Sequence, residues 1–160
     1  MFCSLAFSSI ITLAGEKSET QNARPLDVKG VKRLIHERHG KILFLNLWAT
    51  WCAPCVEEFP DIVKFSHIYT DSLVEVVAIS VDYPDEADSK VRPFLKKHNV
   101  DFKVYIADAK DQEDFINAVN SSWSGAVPAT FIFGKHGKQR AFLLGKQNLE
   151  RFKNEIEKIR

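Results

Sequence analysis

The sequence predicts an α/β protein, a central mixed β-sheet flanked by helices on both faces. Three observations carry this. Residues 42–47 (ILFLNL) and 74–81 (VEVVAISV) are short apolar runs, the mark of strands buried on both faces of a parallel sheet. Stretches with apolar residues every three or four positions alternate with such runs, as helices do when they cover a sheet. Late in the chain, residues 129–133 and 140–144 flank the turn Gly134-Lys135-His136-Gly137, a hairpin pattern that brings antiparallel strands into the same sheet.

Taken in order, residues 2–14 (FCSLAFSSIITLA) are apolar or small and carry no charge. The run is too short to span a bilayer, which takes about 20 residues, but has the length of a signal-peptide core. Thr12-Leu13-Ala14 resembles a small-residue cleavage site, although no basic flank precedes the run. Residues 1–15 are read as a signal peptide or partial membrane anchor, with a buried strand or helix as the alternative. Residues 16–25 are polar and read as a linker, and residues 26–160 as one domain. Residues 28–39 form an amphipathic helix, with Val31, Leu34 and Ile35 on one face and Gly40 as its stop. Asn46 is the one polar interruption of the first buried strand. After Cys55 the apolar positions Phe59, Ile62, Phe65 and Tyr69 recur at helical spacing, and Pro60 inside that run predicts a kink or break. Asp82-Tyr83-Pro84-Asp85 reads as a turn, Val91, Phe94 and Leu95 as the inner face of a helix, and residues 102–107 as a strand. Residues 111–119 and 147–159 are the remaining helices, the last with Leu149, Phe152, Ile156 and Ile159 on one side.

Composition narrows the function classes. The 160 residues suffice for one domain with a real core, and 45% hydrophobic with 27% charged residues is ordinary for a globular protein. A net charge of +1 gives no electrostatic reason for nucleic-acid or anionic-membrane partners. Three cysteines are too few for a disulfide scaffold.

The chemistry points to Trp51-Cys52-Ala53-Pro54-Cys55. With Cys52 at a helix N-terminus, Cys55 lies about one turn on (roughly 3.6 residues), close enough for a disulfide. The unpaired amides and positive dipole end there would stabilise the Cys52 thiolate, the form that attacks disulfides. Pro54 suits a first turn, where its missing N–H costs nothing. The strand is expected to run up to Cys52, beyond whose carboxyl end active sites of such sheets lie. A zinc site needs about four ligands; the only other cysteine is Cys3, and His36, His39, His67, His98 and His136 show no paired spacing. A c-type haem site needs a histidine after the second cysteine, where Val56 stands. A redox pair is the remaining reading, since a purely structural disulfide leaves Trp51 and Pro54 unexplained.

The run from Asn46 through Trp48, Trp51 and Cys52 to Cys55, followed by Glu58-Phe59-Pro60 and by Gly125-Ala126-Val127-Pro128-Ala129-Thr130-Phe131, resembles the TlpA/ResA group of thioredoxin-like proteins over about residues 25–160. The resemblance implies a thioredoxin-like fold and an extracytoplasmic thiol–disulfide oxidoreductase, periplasmic or tethered to the membrane and facing outside. It further implies reduction of disulfides in exported proteins such as apocytochrome c, as in cytochrome c maturation. Cys52 would be the exposed nucleophile and Cys55 the buried resolving thiol. Glu58, three residues after Cys55 and on its helical face, would lie near the pair; its raised pKa would let it shuttle the Cys55 proton. Glu57 should point elsewhere. General thioredoxins carry a buried aspartate where this chain has Asn46, which agrees with Glu58 taking the acid–base role. Val127-Pro128 matches the group's cis-proline loop, whose backbone can pair with an extended substrate. Trp51 and Pro54 would join it as substrate contacts. Trp48 would frame the cysteines or sit in the core, and Trp123 would pack in the core or loop. No metal, flavin or nucleotide is called for, because the cysteines carry the electrons. Expected partners are disulfide-containing exported proteins and an upstream thiol electron donor, with a membrane thiol carrier as one candidate. The chain is expected to be a monomer. Two alternatives stand beside this. One is a non-catalytic binding or chaperone module that uses the same groove. The other is a peroxidase, disfavoured because Thr50 is two residues before Cys52, not three, and no proline precedes it at the strand end.

Overall fold

The structure, a computed structural model, describes residues 23–69 and 73–160. The leader read over residues 1–15, and the linker up to residue 22, lie outside the described residues. The elements run β1 (Arg24–Leu26), α1 (Val28–His36), β2 (Ile42–Trp48), α2 (Ala53–Tyr69), β3 (Val74–Ser80), α3 (Arg92–Lys97), β4 (Lys103–Ala107), α4 (Gln112–Val119), β5 (Ala129–Phe133), β6 (Gln139–Leu144) and α5 (Leu149–Glu157). A 3-10 turn at Pro84–Glu86 and a wide turn at Ala87–Val91 lead into α3.

One six-stranded sheet holds them, in the order β1-β4-β3-β2-β5-β6. The first four strands are mutually parallel, while β5 and β6 are antiparallel to their neighbours. The mixed sheet is therefore as the sequence predicts. β1 is new: Arg24 and Pro25, the end of the stretch read as linker, pair with Tyr105 and Ile106. Pro25 is tolerated because β1 is an edge strand with one neighbour.

Side-chain alternation splits β2 between two cores. Ile42, Phe44 and Trp48 face one layer with Phe59, Ile62 and Phe65 of α2, Leu95 of α3 and Phe152 and Ile156 of α5. Leu43, Leu45 and Leu47 face the other, with Val31 and Ile35 of α1 and Phe115, Ala118 and Val119 of α4. Helices thus cover both faces, and every residue of β2 is buried.

The structure departs from the sequence reading around the first two helices and the strand between them. Helix α1 stops at His36, short of His39. His39 and Gly40 both take positive φ (47° and 78°), and Arg38 turns inward so that Nη1 donates to the Leu34 carbonyl at 2.7 Å. Strand β2 ends at Trp48, so Cys52 lies past a short turn and not on the strand itself. Helix α2 runs unbroken through Pro60, which sits on its exposed side while Phe59 and Ile62 are anchored in the core.

Candidate active site

Cys52 immediately precedes α2 and Cys55 lies in its first turn. The two form a disulfide, S–S 2.06 Å. The Cys55 backbone N–H donates to Cys52 Sγ at 3.3 Å, so a first-turn amide points at the sulfur, as the helix-terminus argument requires. Cys55 is 1% exposed and Cys52 only 6%. The expectation of an openly exposed Cys52 therefore needs correcting for the oxidised form, where the bond to Cys55 draws its sulfur against the protein. Cys52 remains the more accessible of the two. Trp51 beside it is 64% exposed, and Pro54 is exposed as well.

One helical turn beyond Cys55, Glu58 is 1% exposed. Both its oxygens are held. Oε1 accepts from Asn46 Nδ2 at 3.0 Å, and Oε2 accepts from the Gln147 backbone N–H at 2.5 Å. Asn46 Nδ2 also donates to Thr130 Oγ1 at 3.0 Å, its cross-strand partner on β5. Burial pushes the Glu58 carboxyl up to about 7; the hydrogen bonds from Gln147 and Asn46 oppose the shift, Asp61 adds to it, and Lys146 opposes it. Glu57, by contrast, is exposed and pairs with Lys146 at 2.6 Å. The two glutamates thus separate as their spacing from Cys55 implies.

The Val127–Pro128 bond is cis. Pro128 is buried, and Val127 is half-buried against the cluster that contains both cysteines. The Pro128 carbonyl accepts from Gly145 N–H at 2.8 Å, which ties this loop to the segment that supplies Gln147. Trp123 supports the loop from within, its indole N–H donating to the Ala126 carbonyl at 2.9 Å. Trp48 is fully buried, with its ring 4.5 Å from Phe59 and 4.8 Å from Phe94, and belongs to the core. A cleft of about 350 Å³ opens beside Trp51, lined among others by Tyr83, Pro84, Ile116, Trp123 and Gly125. Of the expected substrate contacts Trp51 lines it, whereas Pro54, Val127 and Pro128 do not.

Sequence reading missed Thr130 and Gln147 as parts of this site. Thr130 falls inside the run around Pro128 that carries the family resemblance, but nothing in the sequence singles it out as a partner of Asn46. Gln147 contributes a backbone amide, which any residue but proline supplies. Asn46 did carry a signal, as a polar residue inside a buried strand. Among the described residues, no group of three or more His, Cys, Asp or Glu is arranged to hold a metal ion.

Comparison with known proteins places this geometry. Residues 19–142 match the model of the AhpC/TSA family. The thiol-disulfide oxidoreductase ResA of Geobacillus kaustophilus (strain HTA426) is 32% identical over 134 residues, covering 84% of this chain and 72% of ResA. Among solved structures, a thiol:disulfide interchange protein of the thioredoxin family from Chlorobium tepidum TLS superposes with a TM-score of 0.65 at 22% identity, covering 77% of this chain and 82% of that one. A DsbF homologue from Corynebacterium diphtheriae gives a TM-score of 0.66 at 23% identity, covering 76% and 74%. The two structural likenesses show a thioredoxin-like fold.

Proposed function

This chain belongs to the AhpC/TSA family, and from that premise we propose that it reduces disulfides in exported proteins, apocytochrome c among them, outside the cytoplasm. It is a thiol–disulfide oxidoreductase related to the ResA proteins. One observation carries the reading furthest: a Cys52–Cys55 disulfide at the start of a helix, followed one turn on by a buried glutamate whose carboxyl burial pushes up to about 7.

In the reduced protein the Cys52 thiolate attacks one sulfur of the substrate disulfide. A Cys52–substrate bond forms and the other substrate sulfur leaves as a thiolate, which takes up a proton. Cys55 gives its proton to Glu58 and attacks Cys52 Sγ. The Cys52–Cys55 bond forms, the second substrate thiol departs, and two electrons have passed to the substrate. An upstream thiol donor returns them. Trp51, Pro54 and the Val127–Pro128 loop serve as the substrate contacts. The apolar run at residues 2–14 supports export. Among the described residues, no helix is long and apolar enough to cross a membrane.

The test is to mix reduced protein with a disulfide-closed Cys-x-x-Cys-His peptide and follow peptide thiols. The expected result is one peptide disulfide opened for each Cys52–Cys55 bond formed, with no reaction in a Cys52→Ser/Cys55→Ser variant. A peptide that stays closed overturns the reductase reading. A peptide that binds equally well to the double variant, with no exchange by either protein, leaves a binding module.

A further inference from the structure

One buried carboxyl group on the far side of the cysteine turn has no part in the exchange described above. Asp82, two residues beyond β3, is 2% exposed. Its Oδ1 accepts from Thr50 Oγ1 at 2.5 Å, and its Oδ2 accepts from Thr50 N–H at 2.9 Å and from Ser80 Oγ at 2.5 Å. Asp82 N–H donates back to Ser80 Oγ at 3.0 Å, and Val81 N–H donates to the Trp48 carbonyl at 2.8 Å. Thr50 is therefore held by both its backbone and its side-chain donor.

The place of Thr50 gives this its meaning. Residues 49–52 join the end of β2 to the start of α2 and belong to neither. Within that turn, Cys52 N–H donates to the Ala49 carbonyl at 3.3 Å. The grip on Thr50 comes from the turn after a different strand, β3, and acts two residues from the nucleophile. Burying a carboxyl group is costly unless its hydrogen bonds are made, and here two of the three that Asp82 accepts come from one residue of the cysteine turn.

We propose that Asp82 is a positioning residue that acts through Thr50 to fix the turn presenting Cys52. The proposal rests on the thiol–disulfide reading of the pair. In the oxidised protein the disulfide itself ties Cys52 to α2. In the dithiol only the backbone does, and the Asp82–Thr50 clamp keeps the Cys52 sulfur next to that of Cys55. Loss of the clamp frees the dithiol more than the disulfide, lowers the effective concentration of one thiol toward the other, and shifts the equilibrium toward the dithiol.

The experiment equilibrates the full chain, carrying Cys3→Ser so that one pair titrates, against glutathione. Thr50→Val and Asp82→Asn should each lower the equilibrium constant for disulfide formation about threefold to tenfold, the range commanded by a hydrogen bond that acts chiefly in one redox state. Thr50→Ser keeps the hydroxyl and should match the parent. Combining Thr50→Val with Asp82→Asn should add little to either alone, since both break the same clamp. Urea unfolding of both redox forms separates this from simple loop support. Equal losses of stability in the two forms, with an unchanged glutathione equilibrium, overturn the proposal alone. A parent protein whose pair does not exchange with glutathione at all overturns the oxidoreductase reading and the proposal with it.

Discussion

Glu58 is where sequence, burial and chemistry meet most closely. Its folded value of about 7 lies above the ordinary carboxyl value of 4.5 because the side chain has left water. The folded state therefore holds a proton that the unfolded chain has released. Stability is full below pH about 4.5, falls as pH rises through that window, and has lost about 3 kcal/mol once pH exceeds about 7. Glu58→Gln cannot ionise. Its unfolding free energy, from urea titrations between pH 5 and 8, should be nearly flat where the parent declines. The same change should slow Cys55 attack on the mixed disulfide about 10²-fold near neutral pH and remove the limb that rises through pH about 7. A Gln variant that keeps the parent's pH–rate profile would show that another group takes the Cys55 proton. The key side chains were legible because Cys52, Cys55 and Glu58 are reactive types set one helical turn apart. The groups that hold Glu58 were less so. Gln147 acts through its main chain, and Thr130 matters only because the β2–β5 register sets it opposite Asn46.

At the scale of elements, α2 carries the cysteines at one end and an aromatic anchor further along. Phe65 lies 4.4 Å from Phe44 of β2, 4.6 Å from Tyr69 and 6.0 Å from Phe152 of α5, centroid to centroid. Phe65→Ala should cost about 3–5 kcal/mol in urea unfolding, the range for deleting a fully buried ring. It should do so alike in the oxidised and reduced forms, because the anchor lies away from the sulfurs. A loss confined to one redox form would mean that α2 shifts along its length when the disulfide opens. The α2–α5 contact also carries polar ties: Leu149 N–H donates to Asp61 Oδ2 at 3.3 Å, and Tyr69 Oη donates to Glu157 Oε1 at 3.0 Å. Helical periodicity made α2 readable, and Pro60 made it look interrupted. A proline's cost is local, and here the nearby Phe59 and Ile62 are fixed by packing on the sheet.

Across the whole molecule, the sheet order places β2 at the centre, with parallel β3 on one side and antiparallel β5 on the other. That arrangement brings the turn after β2, the Asp82 turn after β3 and the Pro128 loop before β5 to one end of the sheet. The redox pair thus has the Asp82–Thr50 hydrogen bonds on one flank and the cis Val127–Pro128 loop, the proposed substrate contact, on the other. Alternation of apolar runs made the mixed sheet and its two helical layers legible. β1 escaped because three residues with a proline look like loop until β4 is there to pair with them. Function at this scale is the direction in which electrons flow, and Ala53-Pro54 between the cysteines does not set it alone. The most direct test is the reduction potential of the Cys52–Cys55 pair in Cys3→Ser protein, equilibrated against glutathione or dithiothreitol. A reductase that draws on a dedicated thiol donor should lie near the thioredoxin end of the scale, about −270 mV. A value near the strongly oxidising end, about −120 mV, would contradict the account and make the protein a donor of disulfides.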